Sequence, residues 1–399
     1  MSAQTRESPA DLVDALLRDD LRGQTPYGAP QLDVAVRLNT NENSYDVPAD
    51  VVAAITAAVT GVAVHLNRYP DREFLALRAA LAAYLASQTG VALAADQLWA
   101  ANGSNEVLQH LVQAFGGAGR TALGFTPAYS MHPIIVRTMG TTWVDGLRGA
   151  PSGAFDLTPE SAAAQVRAHQ PHLVFLCSPN NPTGTALDPA VVEAVLDAAP
   201  RSLVVVDEAY AEFARPGTPS AVGLLADHPL LVVTRTMSKA FALAGARLGY
   251  LAGAPALLDA LRLVRLPYHL SDPTQAVALA ALTHVRSLLH TVEAIKTQRD
   301  RIVTELEALG YPPQPSDANF VLFGGLDDAP ATWQALLERG VLVRDVGLPG
   351  YLRVTAGTPT ETDAFLAAVA DLPDSHRRVT RAQPQPQTQT QTQPQEPLS

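Results

Sequence analysis

The chain has 399 residues, 47% of them hydrophobic, and a formal net charge of −11 at pH 7. This length allows one large and one small domain, and the negative charge argues against a broad surface for nucleic acid. We expect neither an export signal nor a membrane span, because no charged start precedes an apolar core and no apolar run approaches the roughly 18 residues that cross a bilayer.

The N-terminal part of the chain is predicted to be helical. Residues 11–19 form a short helical segment. Proline near the start and Gly61 after the end predict a helix over residues 48–59. Apolar residues at helical spacing predict a further helix over residues 73–87, which ends near Gly90.

Short apolar runs then alternate with helical segments. Continuous apolar runs of strand length are typical of strands that helices cover on both faces. The alternation therefore predicts an α/β layer with a mostly parallel sheet. The predicted strands span residues 98–101, 121–125, 173–177, 203–206 and 230–233, and the predicted helices between them include residues 103–115 and 189–199.

The pattern changes after residue 275, where a long helical stretch over residues 274–309 precedes a smaller α+β region. Its predicted strands span residues 319–323, 341–344 and 351–355, and its predicted helices span residues 331–339 and 360–370. We expect four parts: an N-terminal arm with part of the small domain (1–60), a large cofactor-binding domain (61–275), the C-terminal small domain (276–375) and a disordered tail rich in Gln, Pro and Thr (376–399).

Lysine is rare in this chain. Of 28 basic residues only Lys239 and Lys296 are lysines. A lysine amine can lose its proton and attack a carbonyl, whereas arginine stays protonated. Lys296 lies in a polar helical stretch and is expected to be a surface residue. Lys239 follows a predicted buried strand, where ligand chemistry is usually placed in α/β folds, although a solvated loop lysine is the alternative.

Three further polar clusters follow predicted strands and should meet Lys239 at one edge of the sheet. Taken singly, each has an ordinary reading as a turn, a helix cap or a surface charge. Together they supply an amine, a carboxylate, donors to a ring oxygen and a phosphate cup at a helix N-terminus, which is what pyridoxal phosphate needs. The clusters are residues 178–184, residues 207–210, and residues 102–106, and Arg247 lies eight positions after Lys239.

These motifs, in this order, resemble the signature of fold-type I pyridoxal-phosphate aminotransferases over residues 10–372. Within that class the chain is most similar to the histidinol-phosphate aminotransferases of actinobacteria. Ser44 departs from the family pattern, which usually has proline after Asn-Glu-Asn, and this change loosens a turn. The closer likeness rests on residues 27–30, 38–43, 68–71, 236–241 and 344–353.

The resemblance implies a role for each residue around the cofactor. Lys239 would hold pyridoxal 5′-phosphate covalently and later move a proton. Asp207 would pair with the pyridine nitrogen, and Asn181 and Tyr210 would hydrogen-bond the ring oxygen. Tyr129 would stack on the ring.

The resemblance also implies a phosphate cup and a substrate site. Tyr69 would reach the cofactor phosphate from a partner subunit, which implies a homodimer with shared active sites. The predicted cup and cofactor contacts are Ser104, Asn105, Glu106, Ser238 and Arg247, and the predicted substrate-binding residues are Tyr27, Asn43, Arg344 and Arg353.

The implied reaction transfers an amino group between L-histidinol phosphate and 2-oxoglutarate in histidine biosynthesis. An aromatic amino acid aminotransferase on the same scaffold is the nearest alternative, and a non-catalytic or regulatory protein of this fold is a remote one. The histidines show no metal-binding spacing, so we expect no metal. Cys177, the only cysteine, cannot form an internal disulfide, which favours the cytoplasm.

Overall fold

The computed structural model describes residues 8–149 and 155–377. The strands are β1 (Val36–Arg37), β2 (Leu98–Ala101), β3 (Thr121–Thr126), β4 (Thr142–Leu147), β5 (Leu173–Cys177), β6 (Leu203–Asp207), β7 (Leu231–Thr236), β8 (Gly249–Gly253), β9 (Phe320–Phe323), β10 (Val341–Leu342), β11 (Arg344–Asp345) and β12 (Leu352–Thr355). The helices are α1 (Pro9–Leu16), α2 (Ala49–Ala63), α3 (Leu75–Thr89), α4 (Ser104–Phe115), α5 (Met131–Thr138), α6 (Pro159–His169), α7 (Pro189–Ala198), α8 (Pro255–Val264), α9 (Asp272–Thr283), α10 (Val285–Ala308), α11 (Ala329–Glu338) and α12 (Pro359–Ala370).

A seven-stranded sheet in the order β2-β8-β7-β6-β5-β3-β4 forms the centre of the fold. Its strands from β7 to β4 pair in parallel, and β8 is antiparallel to both of its neighbours. Every residue of β5 and β6 is buried, which explains the continuous apolar runs over residues 173–177 and 203–206. The prediction of an α/β fold with a mostly parallel sheet is confirmed.

Two strands of this sheet, β4 and β8, were not predicted. β8 contains two glycines, which are unfavourable in strands, and so its sequence lacks a strand signal. Gly249 is nevertheless required, because a Cβ atom there would collide with the backbone at Ser104. β4 carries Asp145 and Gly146 between its apolar residues, which hides its alternation.

Two helix predictions differ from the structure. α2 continues through Gly61 and ends at Ala63, since one glycine inside a helix costs only about 1 kcal/mol. The long predicted helix over residues 274–309 is divided at His284, whose φ of −120° and ψ of 27° end α9 and begin α10. The His284 imidazole also contacts the Ala280 carbonyl, so it caps the end of α9.

Two smaller sheets join distant parts of the chain. β11, β12 and β9 form an antiparallel sheet, and β1 pairs in parallel with β10. The second pairing supports our proposal that residues 1–60 share a small domain with residues 276–375. His376 and Arg377, the first residues of the predicted tail, contact Asp327 and Leu326, and residues 378–399 lie outside the described part of the chain.

None of the helices in the described ranges has the length and apolar character needed to span a bilayer.

Several large apolar side chains lie on the surface. A surface cluster, here called the 64–268 patch, consists of Val64, Leu66, Tyr69, Leu263, Leu266 and Tyr268, each at least 40% exposed.

Candidate active site

A cavity of about 340 Å³ opens where the carboxyl ends of β5, β6 and β7 meet. This is the place at which an open α/β sheet usually binds its ligands. The structure brings most of the predicted cofactor residues together here. Those that line the cavity are Ser104, Asn105, Tyr129, Asp207, Tyr210, Ser238, Lys239 and Arg247.

Lys239 lies three residues beyond the end of β7, and its Nζ atom donates a hydrogen bond to the Thr40 carbonyl at 3.0 Å. Burial lowers the pKa of this amine to about 8, and the positive charges of Arg353 and Arg247 act in the same direction. Glu42 opposes them. A substantial fraction of the amine is therefore neutral at mildly alkaline pH, as a nucleophile requires.

Asp207 is the last residue of β6 and is almost completely buried. Its Oδ2 atom lies 3.0 Å from His132 Nε2, and its Oδ1 atom accepts a hydrogen bond from the Thr234 hydroxyl at 3.2 Å. Because both oxygens have a protein partner, the carboxylate is held in one orientation. Nothing in the local sequence around His132 pointed to this contact.

The hydroxyl of Tyr210 is buried and accepts hydrogen bonds from two amides. Asn41 Nδ2 lies 3.0 Å and Asn181 Nδ2 lies 3.3 Å from the hydroxyl oxygen. Burial raises the pKa of Tyr210 to about 12. The hydroxyl therefore keeps its proton and can donate it to a ligand oxygen in the cavity.

An anion cup lies at the N-terminus of α4. Gly103 has a φ of 86°, and a Cβ atom at this position would collide with the Arg247 guanidinium. The positive φ favours glycine here, and the missing Cβ atom lets the Arg247 guanidinium lie close to the backbone. The amides of the first helical turn, the guanidinium and the Ser238 hydroxyl together suit a phosphate group.

The Glu106 carboxylate does not face this cup. It accepts hydrogen bonds from the backbone amide of Asn102 at 2.5 Å and from the Asn102 side chain at 2.8 Å. The cavity lining contains Ser104 and Asn105 from this turn but not Glu106. The structure thus gives Glu106 a role in shaping the cup, in place of the predicted cofactor contact.

A second cavity of about 230 Å³ adjoins the first and shares Tyr129 with it. Arg344 and Arg353 face each other in register across β11 and β12, and both line this cavity. Tyr27 lines it as well, and its ring centroid lies 5.8 Å from the Arg344 guanidinium carbon. Two cations and a phenol at one site are suited to a strongly charged anion.

Two hydrogen bonds hold Arg353 in place beside the second cavity. Its Nη1 atom donates to Asn181 Oδ1 at 2.6 Å, and its Nη2 atom donates to the Asn39 carbonyl at 2.8 Å. Burial lowers the pKa of Arg353 to about 10, and Arg344 contributes to the lowering. Its Nε atom is buried without a hydrogen-bond partner among the described residues, which leaves a donor for a ligand.

Besides Glu106, two predicted residues lie outside both cavities. Asn43 donates to the Thr291 hydroxyl at 3.1 Å and accepts from the Tyr45 amide at 3.0 Å, so its side chain holds the N-terminal segment against α10. Tyr69 is 79% exposed and stacks on Tyr268, with ring centroids 4.4 Å apart.

Within the described ranges, no cluster of three or more His, Cys, Asp or Glu side chains could hold a metal ion.

Residues 39–42, here called the strap, carry no residue for which the sequence predicts a role. Its carbonyls accept from Arg353 at Asn39 and from Lys239 at Thr40, and Asn41 donates to Tyr210. The strap thus touches three of the predicted site residues. The only sequence signal was its place within residues 38–43, which carry part of the family resemblance.

The profile of the family "Aminotransferase class I and II" matches residues 34–369. The chain belongs to this aminotransferase family. The histidinol-phosphate aminotransferase of Paenarthrobacter aurescens is 61% identical to it over 360 residues, which cover 90% of this chain and 95% of the relative. That of Frankia casuarinae is 60% identical over 364 residues, which cover 90% and 91% of the two chains.

A solved structure gives the same answer for the fold. The crystal structure of histidinol-phosphate aminotransferase from Sinorhizobium meliloti in complex with pyridoxal-5′-phosphate superimposes with a TM-score of 0.75 and 26% sequence identity. The match covers 92% of this aminotransferase and 98% of that chain. The predictions of the family and of the fold-type I architecture are confirmed.

Proposed function

We propose that this aminotransferase uses pyridoxal 5′-phosphate to transfer an amino group between L-histidinol phosphate and 2-oxoglutarate, in histidine biosynthesis. The observation that carries the proposal is the arginine pair, Arg344 and Arg353, placed in register beside the cavity that contains Lys239. The names of the relatives support the substrate. The buried single cysteine, Cys177, is compatible with a reducing cytoplasm, where we place the protein.

The residues of the first cavity fit the cofactor. When bound, pyridoxal phosphate supplies an electron sink for negative charge on the substrate carbon. Asp207 would keep a proton on the ring nitrogen, and Tyr210 would donate to the ring oxygen together with Asn181, which lines the adjoining second cavity. Lys239 would anchor the cofactor and then carry the proton to and from the substrate carbon through its Nζ atom.

The second cavity would bind the phosphate of histidinol phosphate. A phosphate carries more charge than a carboxylate and can accept from two arginines at once. In the other half of the reaction, a carboxylate of 2-oxoglutarate or glutamate would occupy the same place.

Comparison of two substrates tests the proposal directly. The purified protein with its cofactor is mixed with histidinol phosphate or with phenylalanine, and the absorbance change of a single half-reaction is followed for each. We expect conversion at lower concentration and higher rate with histidinol phosphate. Faster conversion with phenylalanine would favour the aromatic aminotransferase, and no conversion with either would favour the non-catalytic alternative.

Replacing Arg344 with alanine is expected to penalise histidinol phosphate more than phenylalanine. The loss of one charged hydrogen bond to the phosphate should cost about 1–3 kcal/mol in kcat/KM. Replacing Arg353 with alanine should penalise both substrates, because a carboxylate would use it too. Steady-state kinetics with each substrate measure the difference.

The matched control is Arg201→Ala, which removes an exposed arginine in the turn before β6. It should leave the ratio of the two kcat/KM values unchanged. Equal losses of kcat/KM for both substrates in the Arg344 variant would show that this arginine does not recognise the phosphate.

We also propose a homodimer with shared active sites. The 64–268 patch exposes apolar side chains around Tyr69, including Leu263 at 86% and Leu266 at 76%. Surfaces of this kind usually mark an interface. Tyr69 would cross it and reach the cofactor phosphate of the partner.

Mixing two impaired variants tests this arrangement. A Lys239→Ala chain paired with a Tyr69→Phe chain contains one site with both native residues only if Tyr69 acts across the interface. Purified heterodimers should then show about half of the wild-type activity. Each variant alone serves as the control, and heterodimers no more active than the Tyr69→Phe homodimer would place Tyr69 outside the partner's site.

A further inference from the structure

The amine of Lys239 touches the strap as well as the strand ends. Its Nζ atom donates to the Thr40 carbonyl at 3.0 Å, and the Thr40 hydroxyl donates to Glu42 Oε2 at 2.7 Å. Thr40 and Glu42 both line the cavity of Lys239. We propose that Glu42 is a positioning residue for the amine of Lys239 and acts through Thr40. The inference rests on the proposed function, in which this amine moves the proton.

The charges around the amine explain why a carboxylate is needed. Arg353 and Arg247 both disfavour a positive charge on Lys239, and burial does the same. A proton carrier must nevertheless hold its proton between two transfers. Glu42 is the group that opposes the two arginines, and it lies on the strap that also supplies the hydrogen-bond acceptor. The other titratable groups that face the cavity are Asp207, Tyr210, Tyr129 and Cys177.

Each of those other groups is less able to stabilise the ammonium. Asp207 is already engaged by His132 and Thr234. Burial raises the pKa of Tyr210, of Tyr129 and of Cys177, so all three are neutral. Glu42 is exposed at the mouth of the cavity, and solvent therefore weakens its effect without removing it.

The test measures the amine itself. The full chain is saturated with pyridoxamine 5′-phosphate, which fills the site and leaves the lysine amine free. Brief labelling with acetic anhydride over a range of pH, followed by peptide mass spectrometry, gives the midpoint at which Lys239 becomes reactive. Lys296, the only other lysine, is an internal reference in every sample.

Glu42→Gln should move the Lys239 midpoint to lower pH by about 0.5–1 unit, because the ammonium loses the carboxylate that favours its charge. The Lys296 midpoint should not change. Glu42→Asp should restore part of the difference. The matched control is Asp46→Asn, which removes an exposed charge four positions away in the same segment and should shift neither midpoint.

Equal Lys239 midpoints in the Glu42→Gln variant, the Asp46→Asn variant and the wild type would overturn the inference. A downward shift in both variants would also overturn it, because the effect would then come from net charge alone. No substrate is used, so failure of the proposed reaction shows separately in the half-reactions with histidinol phosphate.

Discussion

Replacing Lys239 with alanine is expected to lower turnover by about 10⁴-fold or more, because one side chain both anchors the cofactor and carries the proton. Its amine lies in the main cavity and has a pKa of about 8, lowered by burial and two arginines. Single-turnover absorbance with histidinol phosphate measures the loss. Lys296→Ala is the control, since Lys296 lies on α10 and pairs with Glu293 at 2.9 Å.

The same lysine can be identified chemically. Borohydride reduction of the wild-type protein should fix the cofactor to the peptide that contains Lys239. Cofactor on the Lys296 peptide, or full turnover in the Lys239→Ala variant, would contradict the assignment.

Replacing Asp207 with asparagine is expected to lower turnover by roughly a hundredfold or more. The change keeps the size of the side chain but removes the charge that would hold a proton on the cofactor ring, and loss of a close buried charge partner costs several kcal/mol. The hydrogen bond from Thr234 can still form, so the side chain should stay in place. Rates are compared at equal cofactor content, measured by absorbance.

The control for this variant is Asp197→Asn, which removes an exposed carboxylate from α7. Wild-type turnover in the Asp207→Asn protein would mean that Asp207 is only structural, and that its contact with His132 serves the fold alone.

The sequence predicted the ends of β2 and β5 well because buried strands have a strong local signal. β2 and β5 begin and end at the predicted residues, since their apolar runs stop where polar loops begin. β8 was missed because it contains two glycines, of which Gly249 is explained by a distant neighbour, the backbone at Ser104. A buried strand can be recognised from its run of apolar residues, whereas a close approach between distant segments leaves no pattern in the local sequence.

The site residues divide in the same way, into those that the sequence could predict and those that it could not. Lys239 could be predicted from its rarity and its place after a strand, whereas Arg344 and Arg353 were predicted from the family resemblance. His132 could not be predicted, because its partner Asp207 lies on another element far along the chain. The role of the strap could not be predicted either. Its contacts with Lys239 and Arg353 are made by backbone carbonyls, which every residue type has, so the sequence carries no sign of them.

The position of β2 makes the phosphate cup a late product of protein synthesis. β2 lies at the edge of the sheet, where Leu98 pairs with Ala252 of β8, and α4 follows β2 directly. Closing so long a loop is entropically costly, and contacts of this range form slowly. A ribosome must therefore extend the chain beyond β8 before the cup can form, so a nascent chain cannot capture the cofactor until most of its large domain has emerged.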